Sequence, residues 1–175
     1  MQMVVMIMIV LAIAATLDTR TTDRDAELRD KATAIAQQLA WHHGAAERAC
    51  AVECPAGEVE VAIVPGGRVV AGYYISRSDG DAVVTSLRPG GVDLSRPAVG
   101  LTGLVSAALL RTTTSLRSGT YRAADGTVRR GTPLGGVAHE PRVTVPEGLR
   151  DGLEDGAPVL LTCLRGPDGC VQPGP

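Results

Sequence analysis

Residues 28–46 read LRDKATAIAQQLAWHHGAA, and the spacing of their apolar positions decides how the rest of the chain is arranged. Leu28, Ala32, Ile35, Leu39, His42 and Ala46 fall at alternating steps of four and three. That spacing puts them on one face of an amphipathic helix. Arg24, Glu27, Lys31, Gln38 and Arg48 occupy the opposite face. Leu28, Ile35 and Leu39 are therefore the expected packing residues, set against a sheet or a partner. Thr21-Thr22-Asp23 supplies capping side chains for a helix that restarts there. Gly44 is a weak point, and Pro55 bars continuation because it lacks the amide hydrogen and its ring clashes with the preceding turn.

Upstream, Met1 to Leu17 reads MQMVVMIMIVLAIAATL, without a charge and with Gln2 as its one strongly polar side chain. A helix of this length is about 25 Å long against a hydrocarbon core of about 30 Å, a deficit that modest thinning absorbs. The expected anchor spans residues 1–18, with Val4, Val5, Ile7, Ile9, Val10, Leu11, Ile13 and Leu17 facing lipid. Two other readings stay open. Ala12-Ile13-Ala14 offers a signal-peptidase site, although the basic n-region is missing. A buried core helix would need protein on every face. Asp18 to Glu27 holds two Arg against four acids, so no positive cluster retains it in the cytosol. The expected topology is a single pass through the inner membrane with the C-terminal domain outside the cytosol. An uninterrupted passage into the amphipathic helix, residues 19–54, would make a rod of about forty-five residues.

Downstream of Glu58 the period changes to two. Val59, Val61 and Ile63 alternate with Glu60, Ala62 and Val64, and Pro65-Gly66-Gly67 turns the chain into Val69–Ile75. Asp79-Gly80 leads into Ala82–Leu87, and Asp125-Gly126 separates Thr120–Ala123 from Thr127–Arg130. Val143–Val145 and Val159–Thr162 read as late strands, while Leu101–Thr114 suits a helix by its apolar spacing and a strand by its Thr-rich end. The fold class is α+β: an N-terminal transmembrane helix, then an amphipathic helix packed on an antiparallel sheet domain, residues 55–171, and a flexible tail, residues 172–175.

Composition narrows the function classes. The 175 residues include no Phe, one Trp and three Tyr, so Val, Leu, Ile and Ala must fill the core. A formal charge of -2 with interspersed signs leaves no basic stripe for nucleic acid. Cys50 and Cys54 are close neighbours, as are Cys163 and Cys170, and local disulfides would close two short loops in an oxidising compartment. Free thiols and zinc remain alternatives, although only the first pair has zinc-ligand spacing and no His follows at finger distance.

The chain lacks G-x-S-x-G, Walker, G-x-G-x-x-G and H-E-x-x-H motifs. His42 and His43 are adjacent on a helix, point about 100° apart and fit a polar helix face better than one metal. His139 precedes Glu140-Pro141 in a loop with no evident nucleophile. Asp23/Asp25 and Glu154/Asp155 fit solvated turns and helix starts, and Gly90-Gly91 and Gly135-Gly136 fit hinges rather than phosphate cradles. Trp41 either packs the helix on the sheet or sits at an interface. The expectation is a protein that is no enzyme, with no cofactor, no metal and no small-molecule substrate.

The layout resembles the PilM family of type IVb thin-pilus systems, which serve conjugation in liquid. The residues that carry the likeness are the N-terminal apolar helix and the run Ala36-Gln37-Gln38-Leu39-Ala40-Trp41-His42-His43. Gly100–Ser106 is similar to the family's middle strand and turn. Val145-Pro146-Glu147-Gly148, or Leu153–Leu160, is similar to its Pro-x-Gly step into a late strand. The resemblance implies a scaffold in pilus assembly whose partners are the lipid bilayer and other pilus-assembly proteins, and it carries over no active-site residue. The outline is also similar to that of type IV pilins and minor pilins. There an apolar helix continues as an amphipathic one, a sheet packs against it, and a C-terminal disulfide closes a loop.

Overall fold

The computed structural model describes residues 2–61, 73–88, 101–112, 118–129 and 142–164, with side chains from residue 25 onward except at 101–102, 110, 112 and 142. Its first element is a single helix, α1 (Gln2–Val52), which runs through Thr21-Thr22-Asp23 without restarting. Local side-chain pairs support its charged middle: Lys31 meets Glu27 at 2.7 Å one turn back, and the Thr33 hydroxyl donates to the Arg29 carbonyl at 2.8 Å. The helix stops three residues short of Pro55, whose ring would otherwise strike the preceding turn. Among the described residues no helix is long and apolar enough to cross a membrane. The side chains expected to face lipid, Val4 to Leu17, lie outside those described.

The strands are β1 (Gly57–Glu58), β2 (Tyr74–Ser78), β3 (Ala82–Leu87), β4 (Ser118–Arg122), β5 (Thr127–Arg129), β6 (Arg142–Thr144) and β7 (Pro158–Cys163). They form one antiparallel sheet in the order β1-β2-β3-β7-β4-β5-β6, so the architecture is α+β. A second helix, α2 (Leu101–Thr112), resolves the ambiguous stretch before the Thr-rich run in favour of the helical period. Two expected strands are described only in part. Of the first, residues 62–64 lie outside the described set and the described strand is β1, with Val59 adding one bond from its amide to the Ser76 carbonyl at 2.8 Å. The second, expected from Val69, is described from Tyr74, and residues 69–72 lie outside the described set.

All six residues of β3 are buried, against the alternation expected of a half-wet strand, because both faces of the sheet are covered. On one face, Tyr74, Leu87 and Leu160 meet Ala32, Ala36 and Leu39 of α1 and Val105, Ala108 and Leu109 of α2. Leu28 and Ile35 pack half-buried at the rim of this core. Farther along α1, Ala46 and Cys50 join Val59 and Val83. On the other face, Ala82, Val84, Tyr121, Val128, Val143, Val159 and Leu161 are roofed by the returning chain at Val145, Leu149 and Leu153. Small residues on α1 let it lie close to the strands, while Leu39, fully buried, contributes about 1.5–3 kcal/mol by leaving water.

Two tight features hold the sheet's register. At the Asp79-Gly80 turn the Asp79 carboxylate accepts the Asp81 and Ala82 amides at 2.9 and 2.8 Å, and Gly80 takes the left-handed φ of 93° that side chains avoid. Between β4 and β5, a methyl added at Gly119 would run into the Arg129 backbone, so only glycine allows that approach.

Candidate functional site

The joint between α1 and the sheet is not purely apolar. Cross-strand pairing sets Ser76 of β2 opposite Thr85 of β3, and Thr162 of β7 opposite Val83 of β3, so three hydroxyls face α1 from the three strands beneath it. Above them the two adjacent histidines splay apart. The His42 Nδ1 lies 3.0 Å from Ser76 Oγ, Ser76 Oγ lies 2.7 Å from Thr85 Oγ1, and Thr85 Oγ1 lies 2.8 Å from His43 Nδ1. His43 Nε2 then reaches Thr162 Oγ1 at 3.0 Å, with the Glu47 carboxylate 3.5 Å away one turn along the helix. One turn toward the N-terminus, Tyr74 donates its hydroxyl to Gln38 Oε1 at 2.9 Å, and its ring tilts against His42 at 5.8 Å between centroids.

His43 and His42 are therefore not a solvated polar face. His43 is 7 % exposed and sits between β3 and β7, and His42 is half-buried over β2. Burial drives the His43 pKa down to about 4, with the Glu47 carboxylate pulling against it and His42 adding to it. Burial likewise lowers His42, aided by the Arg88 guanidinium and opposed by Glu58. The Tyr74 phenol is pushed up to about 12 by burial. At neutral pH the joint is thus an uncharged hydrogen-bond chain, the form in which buried polar groups cost least.

Ser76 and His42 meet as a nucleophile and its base would. Yet Ser76 is 1 % exposed and Thr85 engages its hydroxyl on the other side, so a substrate would have to displace α1 to reach it. Among the described residues no three His, Cys, Asp or Glu side chains are grouped to hold a metal.

A second joint closes the end of α1. Cys50 and Cys54 form a disulfide, Cys54 Sγ lies 2.7 Å from Ser78 Oγ, and the Gly80 amide donates to that same hydroxyl at 2.9 Å. Cys163, also disulfide-bonded, stands opposite Ala82 across β3–β7, and the Leu164 amide donates to the Asp81 carbonyl at 2.8 Å. The helix end and the end of β7 are both fastened around the β2–β3 turn. With Cys50 and Cys54 bonded to each other, that pair offers no thiolate to zinc.

Of the residues singled out from sequence, Leu39 lies at the centre of the helix–sheet core and Leu28 and Ile35 at its rim. Trp41 is 63 % exposed and belongs to none of the hydrophobic clusters among the described residues. Cys170, His139, Glu140, Gly90-Gly91 and Gly135-Gly136 lie outside the described residues. The residues that sequence reasoning missed are Gln38, Tyr74, Ser76, Thr85 and Thr162. Part of their signal was available in β2, where Tyr74, Ser76 and Ser78 put a hydroxyl at every second position; Thr85 and Thr162 stand singly among apolar inward neighbours and carry no such pattern. Comparison with protein-family models, with curated proteins and with solved structures gives no match.

Proposed function

We propose that the chain is a non-enzymatic, membrane-anchored component of type IV pilus assembly, a scaffold of the PilM kind with its sheet domain outside the cytosol. The observation that supports this reading best is the continuity of α1. One helix of 51 residues begins in an uncharged, strongly apolar sequence and continues, from Leu28, as the helix packed on the sheet. In this reading Val4, Val5, Ile7, Ile9, Val10, Leu11, Ile13 and Leu17 hold the inner membrane. The stretch from Leu17 to Leu28 then lifts the domain by roughly 16 Å at 1.5 Å per residue. Confinement to the membrane plane raises the domain's effective concentration near other assembly proteins, which is the work of a scaffold. The disulfides accord with an oxidising compartment.

The test is fractionation of cells producing the full-length protein, alkaline extraction of the membranes, and intact mass under non-reducing conditions. Retention in the extracted membrane with the cysteines oxidised supports the reading. Release into the wash with reduced thiols refutes it.

A second reading, a pilin or minor pilin that enters the fibre, draws on the same uninterrupted helix lying over an antiparallel sheet with a disulfide-bonded cysteine in its last strand. Presence in sheared filaments favours the subunit, and confinement to the inner membrane favours the scaffold.

A further inference from the structure

Four side chains stand in file across the helix–sheet joint: His42, Ser76, Thr85 and His43, with three hydrogen-bonding gaps between them. Each gap takes one hydrogen. Ser76 and Thr85 bring one hydroxyl hydrogen apiece, and among the described residues neither hydroxyl has another partner. The third hydrogen must come from Nδ1 of one ring, while Nδ1 of the other ring stays bare to accept. Uncharged, the two rings must therefore hold opposite tautomers. The far side of His43 decides which is which. Its Nε2 faces Thr162 Oγ1 and, at 3.5 Å, the Glu47 carboxylate, and an anion there favours an N–H. His43 is then the Nε2–H tautomer and His42 the Nδ1–H tautomer.

We infer that His42 and His43 form a pair that accepts one proton and refuses a second: acid charges His42 in place, and charging His43 as well breaks the file and frees α1 from the sheet. A proton added to His42 goes to Nε2, outside the file, and disturbs no bond within it. Once His42 is charged its Nδ1–H is fixed, and a proton then added to His43 must go to Nδ1, which puts four hydrogens into three gaps and strands one hydroxyl hydrogen in a buried site. Among the described residues, the charged and titratable groups facing the pair are Glu47 on α1, Glu58 on β1, Tyr74 on β2 and Arg88 just past β3. Glu58 favours a charge on His42 and Arg88 opposes it. For His43, burial outweighs the pull of Glu47, and His42 opposes the charge to a lesser degree than Glu47 favours it.

The test uses the full-length protein in detergent micelles with 15N-labelled histidine, following ring nitrogens from about pH 8 to about pH 4. The expected result at the alkaline end is an Nδ1–H ring at His42 and an Nε2–H ring at His43, assigned with His42→Ala and His139→Ala. On acidification His42 charges first while the amides of residues 36–46 keep their exchange protection, and His43 charges only together with loss of that protection. Ser76→Ala, which cuts the file, releases His42 from the Nδ1–H form. Equal tautomers on both rings, or a charged His43 beneath a still-protected α1, would overturn the inference. So would a His42 that stays Nδ1–H in Ser76→Ala.

Discussion

Acidification should weaken this fold well before its carboxylates titrate, and His43 sets the size of the effect. In the unfolded chain its imidazole takes a proton near 6.5, whereas in the fold it does so only near about 4. Between those values the unfolded state binds the extra proton and the folded state does not, so stability falls as pH falls. The contribution is intact above 6.5, is lost progressively on the way to about 4, and changes no further below that. Each pH unit in the window corresponds to about 1.4 kcal/mol, so going from pH 7 to pH 5 removes about 2 kcal/mol, and the full window about 3 kcal/mol. His42, lowered in the same direction, adds to the loss. With a urea slope on the order of 1–3 kcal/mol/M, the midpoint should drop by roughly 1 M between those two pH values. Circular dichroism of the full chain in mild detergent reads it. His43→Gln, which keeps a donor and an acceptor but cannot charge, should flatten most of the dependence. Asp125 does not confuse the measurement. The Thr127 hydroxyl and the Arg129 guanidinium hold its carboxyl down to about 2, so its contribution is lost only below the ordinary carboxylate range. A wild-type midpoint that stays constant from pH 7 to pH 5 would refute the reasoning.

Leu39→Ala empties a fully buried site between α1, α2 and the sheet and should cost about 2–5 kcal/mol in chemical denaturation. Gly119→Ala drives a methyl into the Arg129 backbone and should cost about 2 kcal/mol or more, visible as a lowered Tm; an unchanged Tm would mean that β4 and β5 can move apart freely. Replacing Cys50 and Cys54 together by Ser removes a short covalent loop worth about 2 kcal/mol by loop-closure entropy, measured as the difference in urea midpoint under non-reducing conditions. Trp41→Ala, on the exposed side of α1, should leave stability within about 0.5 kcal/mol.

Periodicity carried much of the architecture. The 3.6-residue spacing of Leu28, Ala32, Ile35 and Leu39 located the packing face of α1, because small and branched apolar residues had nowhere else to be buried. Ala82–Leu87 was legible to the residue, since Asp79-Gly80 fixes its start and an apolar run fixes its length. Asp125-Gly126 fixed the start of β5 at Thr127, while Arg130, its expected last residue, lies outside the described set. For β2 the turn at Pro65-Gly66-Gly67 points to a start at Val69; residues 69–72 lie outside the described set, and the described strand runs from Tyr74, in register with β3. The histidine chain was not read at all. Helix spacing sets His42 on the packing face with Leu39 and Ala46, and only the polar character of the two rings pointed to a solvated face. What buries His43 is a pair of hydroxyls, Thr85 and Thr162, that come from strands about 40 and 120 residues away and meet only once the sheet is assembled.

The position of β7 has a consequence for biogenesis. It is the last of the described strands along the chain, yet it lies between β3 and β4, where it also supplies Leu160 beneath α1 and Thr162 beside His43. No sub-assembly made from the preceding elements can close without it. While synthesis proceeds at about 5–20 residues per second, β3 and β4 must wait with open edges, and the histidines with unmet partners, until residue 163 emerges. A chain interrupted before that point presents two bare strand rims to its surroundings, so truncated products should aggregate or be degraded rather than persist as smaller folded forms.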